Sequence, residues 1–111
     1  MCVFCDIIAG KIPSNTVYED EDIKIIKDLN PQANVHLLLL PKEHYANIVE
    51  MTVDQAVTLA KCIKKVSEMV DELGLTEGFR LVSNKGKYGC QSVEHLHIHI
   101  LGGNQLADRM A

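Results

Sequence analysis

The alternation of apolar and polar positions divides the chain into a series of predicted elements. Val3, Phe4, Ile7 and Ile8 fall at helical spacing, Gly10 can close the turn, and Pro13 bars its continuation. A short helix therefore opens the chain. Val17–Asp20 and Ile23–Asp28 read as strands joined by a turn at Glu21-Asp22, and Asn30-Pro31 breaks the pattern. Val35 to Leu40 is a third strand, ended by Pro41. Its near-continuous apolar run predicts a central place with both faces covered. Thr52 and Gln55 have capping-box spacing. Ala56, Leu59, Ala60, Ile63, Val66, Val70 and Leu73 follow as a one-sided stripe, with Gly74 where a C′ glycine belongs. A helix from Val53 to Leu73 would be about 31 Å long. Phe79–Ser83 and Leu96–Leu101 are two more strands, separated by a glycine-containing loop, Asn84 to Ser92. Gly102-Gly103 ends the last strand, and a polar tail follows. The order predicts an α+β fold with a mainly antiparallel sheet of about five strands. It is not a βαβ alternation, and no glycine-rich nucleotide fingerprint is present.

Composition narrows the class. The chain has 111 residues, 47% of them apolar, and a formal charge of −4. That apolar content supports a buried core without disulfides, in one domain over residues 1–111, and argues against disorder. The acidic balance leaves no broad electrostatic footprint for nucleic acid or an anionic membrane. The longest apolar run, Val35 to Pro41, contains His36 and falls far short of the ~20 residues of a membrane span. The first residues carry no basic and apolar leader pattern, so a cytoplasmic location is expected, with the four cysteines reduced or metal-bound.

The chemistry concentrates in His95-Leu96-His97-Ile98-His99-Ile100-Leu101. In a strand, alternate side chains share a face, so the three histidines point one way and Leu96, Ile98 and Ile100 point into the core. Same-face neighbours lie about 6.6 Å apart, close enough for two imidazoles to address one phosphate or one metal. Crowded imidazoles are mostly neutral at neutral pH, and a neutral imidazole is both nucleophile and ligand. Two readings follow: nucleophilic catalysis on phosphorus, or a His-x-His metal site in a metal-dependent hydrolase. The preceding Gly89-Cys90-Gln91-Ser92 favours the first, because it offers small residues, a hydroxyl and an amide beside the histidines. Cys2-x-x-Cys5 is a short pair of soft ligands that needs two more for tetrahedral zinc.

The histidine strand resembles the pattern that names the histidine triad (HIT) superfamily. Asp28-Leu29-Asn30-Pro31-Gln32-Ala33, His36, Pro41-Lys42-Glu43-His44, Asn84-Lys85-Gly86, Gly89-Cys90-Gln91-Ser92-Val93 and Leu101-Gly102-Gly103 are similar to its Hint branch, from about Phe4 to Gln105. The resemblance implies a HIT-like fold and a homodimer that binds purine nucleotides and hydrolyses nucleoside phosphoramidates. It implies that His97 is the nucleophile, forming a nucleotidyl-histidine without metal, and that His99 binds a phosphate oxygen. His95 would orient His97 through its carbonyl, and Ser92 would serve the leaving group. Asn84 and the backbone around Cys90 and Gln91 would hold phosphate. Asp28 would accept the ribose hydroxyls, Leu29 would wall the base, and His36 would support the triad. Read without the resemblance, Asp28 and Asn84 are turn formers, Ser92 is a surface hydroxyl and His36 a core histidine. Bacterial members with the N-terminal Cys-x-x-Cys imply structural zinc on Cys2, Cys5, His44 and His95. Two positions depart from the pattern: Cys90 stands where glycine is frequent, and the tail 104–111 has neither Trp nor Pro. The alternatives implied are a dinucleotide polyphosphate hydrolase and a nucleotide-binding adaptor with little turnover.

Overall fold

The computed structural model describes residues 2–111. Helix α1 (Val3–Ile8) is followed by β1 (Thr16–Glu19), β2 (Ile23–Lys27) and β3 (Val35–Pro41). Then come α2 (Val53–Glu68), α3 (Val70–Leu73), β4 (Phe79–Ser83) and β5 (Ile98–Gly102). The five strands form one sheet in the order β1-β2-β3-β5-β4, and every pairing is antiparallel. Strand β3 is central and buried along nearly its whole length, as its apolar run predicts. No helix among the described residues is long and apolar enough to cross a membrane.

The two faces of the sheet differ. Ile23 and Ile25, Leu37 and Leu39, and Ile98 and Ile100 point to one face, where Leu59, Cys62 and Val66 of α2 cover them. Ile26, Leu38 and Leu40 point to the other, where Phe4 and Ile7 of the short α1 lie over them, with Ile8 and Val93 at the margin. Lys24, His97 and His99 share that second face. Leu39 has no exposed surface on the central strand. Leu39→Ala should cost about 3–5 kcal/mol, read as a shift in urea midpoint at unchanged slope.

Three boundaries depart from the sequence reading. The long helix is interrupted: Met69 leaves helical geometry (φ −112°, ψ 13°), and α3 carries on alone to Gly74. The Ser67 hydroxyl donates to the Lys64 carbonyl at 2.6 Å, a back-bond that bends helices, and the turn tightens as Met69 N–H reaches Val66 O. The tightened turn leaves Met69 and Leu73 buried. Gly74 ends the element in the left-handed region (φ 75°), and Leu75 N–H closes back on Val70 O. Pro41 is not a stop but the last residue of β3, opposite Ile23. On the other side of β3, β5 begins only at Ile98, opposite Leu39. Pro41 has no N–H to offer a longer ladder. Leu96 N–H goes instead to Tyr45 O, so His95 and His97 precede the strand.

Candidate functional site

The strand alternation survives that early exit. Leu96, Ile98 and Ile100 enter the α2-side core, and His95, His97 and His99 emerge on the α1 side. The rings of His97 and His99 lie 5.2 Å apart, and Phe4 of α1 sets its edge against His97 (5.0 Å) and His95 (6.1 Å). His36 of β3 and Asp28, just past β2, complete the cluster: Asp28 N–H donates to His36 O, and the rings of His36 and His99 are 5.1 Å apart.

Hydrogen bonds fix which ring nitrogens carry protons. His97 Nδ1 lies 2.8 Å from the His95 carbonyl, which can only accept. Nδ1 is therefore the nitrogen that carries the proton, and in the neutral ring the lone pair is left on Nε2. His97 is only 5% exposed, yet among the described residues no buried side-chain N or O lacks a partner. Nε2, with no partner, is thus open to solvent. His95 in turn donates Nε2–H to Pro41 O at 2.8 Å, which frees its Nδ1. Burial holds the His95 ring below the usual imidazole pKa, against the pull of that carbonyl, and keeps it neutral.

A second chain runs through His36. Gln32 N–H donates to His36 Nδ1 at 2.9 Å, so the His36 proton sits on Nε2. That N–H faces two acceptors, His99 Nδ1 at 2.9 Å and Asp28 Oδ2 at 3.3 Å. With Nδ1 accepting, His99 carries its proton on Nε2. Burial, then the neighbouring His97 and His36, lower the His99 pKa, while Asp28 opposes them. Asp28, His36 and His99 have donor atoms within 4.8 Å of one another, as a metal site would. The Gln32 amide argues against that use, because ligation through His36 Nε2 needs its proton removed. The group is a hydrogen-bond relay that ends in an N–H donor on the ring next to His97.

The Cys-x-x-Cys pair is brought to His44 and His95, with all four donor atoms within 4.8 Å of one another. His44 Nδ1 and His95 Nδ1 are 3.1 Å apart, and Cys5 Sγ lies 3.2 Å from the first and 3.5 Å from the second. Cys2 Sγ is 3.4 Å from His95 Nδ1. A zinc tetrahedron has N–N edges of about 3.3 Å and S–N edges of about 3.6 Å. The donors fit it. Cys5 N–H also donates to Cys2 Sγ at 3.3 Å, which caps α1.

The family model described as HIT domain matches residues 9–106. The chain belongs to the HIT family. It is 46% identical to Protein HitA of Neisseria gonorrhoeae over 101 residues, 91% of this chain and 94% of that one. Its structure is similar to that of a HIT family hydrolase from Clostridium thermocellum, with TM-score 0.93, 42% identity, and 99% and 96% of the two chains covered. It is also similar to a zinc-bound histidine triad family protein from Mycobacterium smegmatis, with TM-score 0.81, 28% identity and coverage of 99% and 79%.

Around the HIT histidines the other candidates are placed unevenly. Leu29 follows Asp28 and is 92% exposed, an apolar side chain without cover. Asn84 stands one residue past β4, whose last pair is Ser83 with Ile98, and so lies beside the His97 segment. Gln91 is a brace. Its amide accepts from Gly86 N–H and donates to Ala46 O and Val93 O, which ties the loop to the body. The backbone N–H groups of Cys90 and Gln91 are already taken within the loop, by Lys87 O and Gly86 O. Cys90 is exposed and adopts φ 59°, a conformation that favours glycine. Ser92 lines a hollow of about 680 Å³ with Cys2, Cys5 and His44. Sequence reasoning missed Phe4, the Gln32 amide and the Pro41 carbonyl as parts of the site. Phe4 had a signal as the apolar face of α1; the other two are backbone groups.

Proposed function

We propose that this HIT protein is a Hint-like hydrolase that cleaves purine nucleoside phosphoramidates through a nucleotidyl intermediate on His97. The observation that carries the reading is the hydrogen bond from His97 Nδ1 to the His95 carbonyl, which leaves the Nε2 lone pair open. Nε2 attacks the α-phosphorus, and the bond from phosphorus to the amine breaks. The departing amine takes up a proton from the Ser92 hydroxyl, which the proton released by the attacking water later restores. Water then attacks phosphorus, the P–Nε2 bond breaks, and nucleoside monophosphate leaves. One hard displacement becomes two easier ones. His99 Nε2–H meets a phosphoryl oxygen as charge develops. Asp28 accepts the ribose hydroxyls, Leu29 covers the base, and Asn84 holds phosphate.

Zinc on Cys2, Cys5, His44 and His95 is structural in this reading and takes no part in a chemical step. The fit of the donor distances supports it, as does the zinc-bound relative. A homodimer is inferred from the apolar side chains left open on edge strand β4, Phe79 and Leu81, and on α2, Val53 and Val57.

The test is hydrolysis of a fluorogenic adenosine phosphoramidate, with diadenosine polyphosphate as competitor and with chelator present. Faster turnover of the phosphoramidate, persisting in the presence of chelator, is expected. Preference for the dinucleotide would move the assignment to a polyphosphate hydrolase. No turnover of either would refute the hydrolase reading and favour a nucleotide-binding adaptor.

A further inference from the structure

In the proposed site Asp28 and His99 serve opposite ends of the nucleotide, yet they are neighbours in the fold. The Asp28 carboxylate lies 3.3 Å from His36 Nε2 and 4.0 Å from His99 Nδ1. The single His36 Nε2–H is therefore shared between the carboxylate and His99, which it reaches at 2.9 Å. The Gln32 amide keeps that proton on Nε2, so the ring has no other hydrogen to offer. The His36 side chain is almost fully buried, so water has little access to its Nε2–H, and these two acceptors are left to divide it.

We propose that Asp28 is a positioning residue that couples the ribose to the phosphate-binding imidazole, by competing with His99 for the His36 proton until ribose hydroxyls occupy it. The inference rests on the nucleotide reading of the site. Two hydroxyls donating to the carboxylate satisfy its lone pairs and weaken its hold on His36 Nε2–H. That hydrogen then belongs to His99 alone. The His99 proton is confined to Nε2, and its ring is held at one angle to the phosphorus. A nucleotide with both hydroxyls thus prepares its own phosphate site. One without them binds to a site still divided.

The experiment separates coupling from simple ribose affinity. Adenosine carries no phosphate, so any effect it has on the imidazoles must pass through the nucleoside side. Imidazole ¹⁵N signals of His36 and His99 are followed on adding adenosine or 2′,3′-dideoxyadenosine, in wild type and in Asp28→Ala. The Leu29 backbone amide reports binding. Adenosine should move both imidazoles in wild type, dideoxyadenosine should move neither, and the difference should vanish in Asp28→Ala. Correspondingly, kcat for a ribonucleoside phosphoramidate should exceed that for its dideoxy analogue by about tenfold in wild type, and the two should be equal in the variant. If adenosine shifts Leu29 but leaves His36 and His99 unmoved, the coupling is overturned and the nucleotide reading stands. If adenosine shifts nothing, the nucleotide reading fails and the coupling with it.

Discussion

His97→Ala should lower kcat/KM on adenosine phosphoramidate by about 10³-fold or more, with no nucleotidyl adduct recoverable by acid quench and mass spectrometry. The size follows from what is removed. The other groups on this face are hydrogen-bond donors and acceptors that stabilise charge, and losing one such donor costs about 10²–10³-fold. Removing His97 deletes the covalent route itself. The variant also leaves a void where the ring met Phe4, 5.0 Å away, so a loss of activity needs a folding control. His97→Gln supplies it, because glutamine fills the volume and offers an amide N–H to the His95 carbonyl but no nucleophilic nitrogen. The two variants should be equally inactive, with His97→Gln melting within a few degrees of wild type. Residual turnover in His97→Gln above a tenth of wild type would sink His97 as nucleophile.

Much of this site was legible in the sequence because strand periodicity is rigid. Three histidines at alternate positions share one side in any extended segment, and they do so here even though His95 and His97 lie ahead of the ladder. The capping box of α2 was equally plain, since Thr52 and Gln55 interact across a single turn. What stayed hidden depends on tertiary placement. The proton positions on His97 and His36 are set by the His95 carbonyl and the Gln32 amide, and every residue carries such groups. The late start of β5 traces to a proline on its neighbour, 57 residues before Ile98, a consequence of strand pairing. The break at Met69 was invisible because the apolar stripe runs through it undisturbed; a hydroxyl at Ser67 bends the helix without altering the pattern.

With zinc bound as proposed, its removal, or replacement of a ligand by Cys5→Ala, should lower Tm by about 10 °C or more and free α1 before the rest of the fold. Helix α1 has six residues, well below the length at which a helix holds itself in water. It is retained by tertiary ties alone: the buried Phe4 and Ile7, the Lys24 ammonium that donates to Ile7 O at 3.2 Å, and the cysteine pair at its start. A cation joining Cys2 and Cys5 to His44 and His95 fastens the end of the helix that carries Phe4. Without it, amide exchange should rise first in residues 3–8, ahead of the α2-side core. The loss should then reach the catalytic face, because Phe4 packs on both His95 and His97, and the His95 carbonyl sets the His97 proton. Turnover should fall by less than in His97→Ala, since the nucleophile remains. Acidification should mimic chelation, because protons compete with the metal for both thiolates and both imidazoles. Metal analysis of the purified protein decides the matter together with the exchange data. Wild type with no bound zinc, or Cys5→Ala with α1 protected as in wild type, would leave the four donors as a hydrogen-bonded cluster and return the helix to its apolar contacts alone.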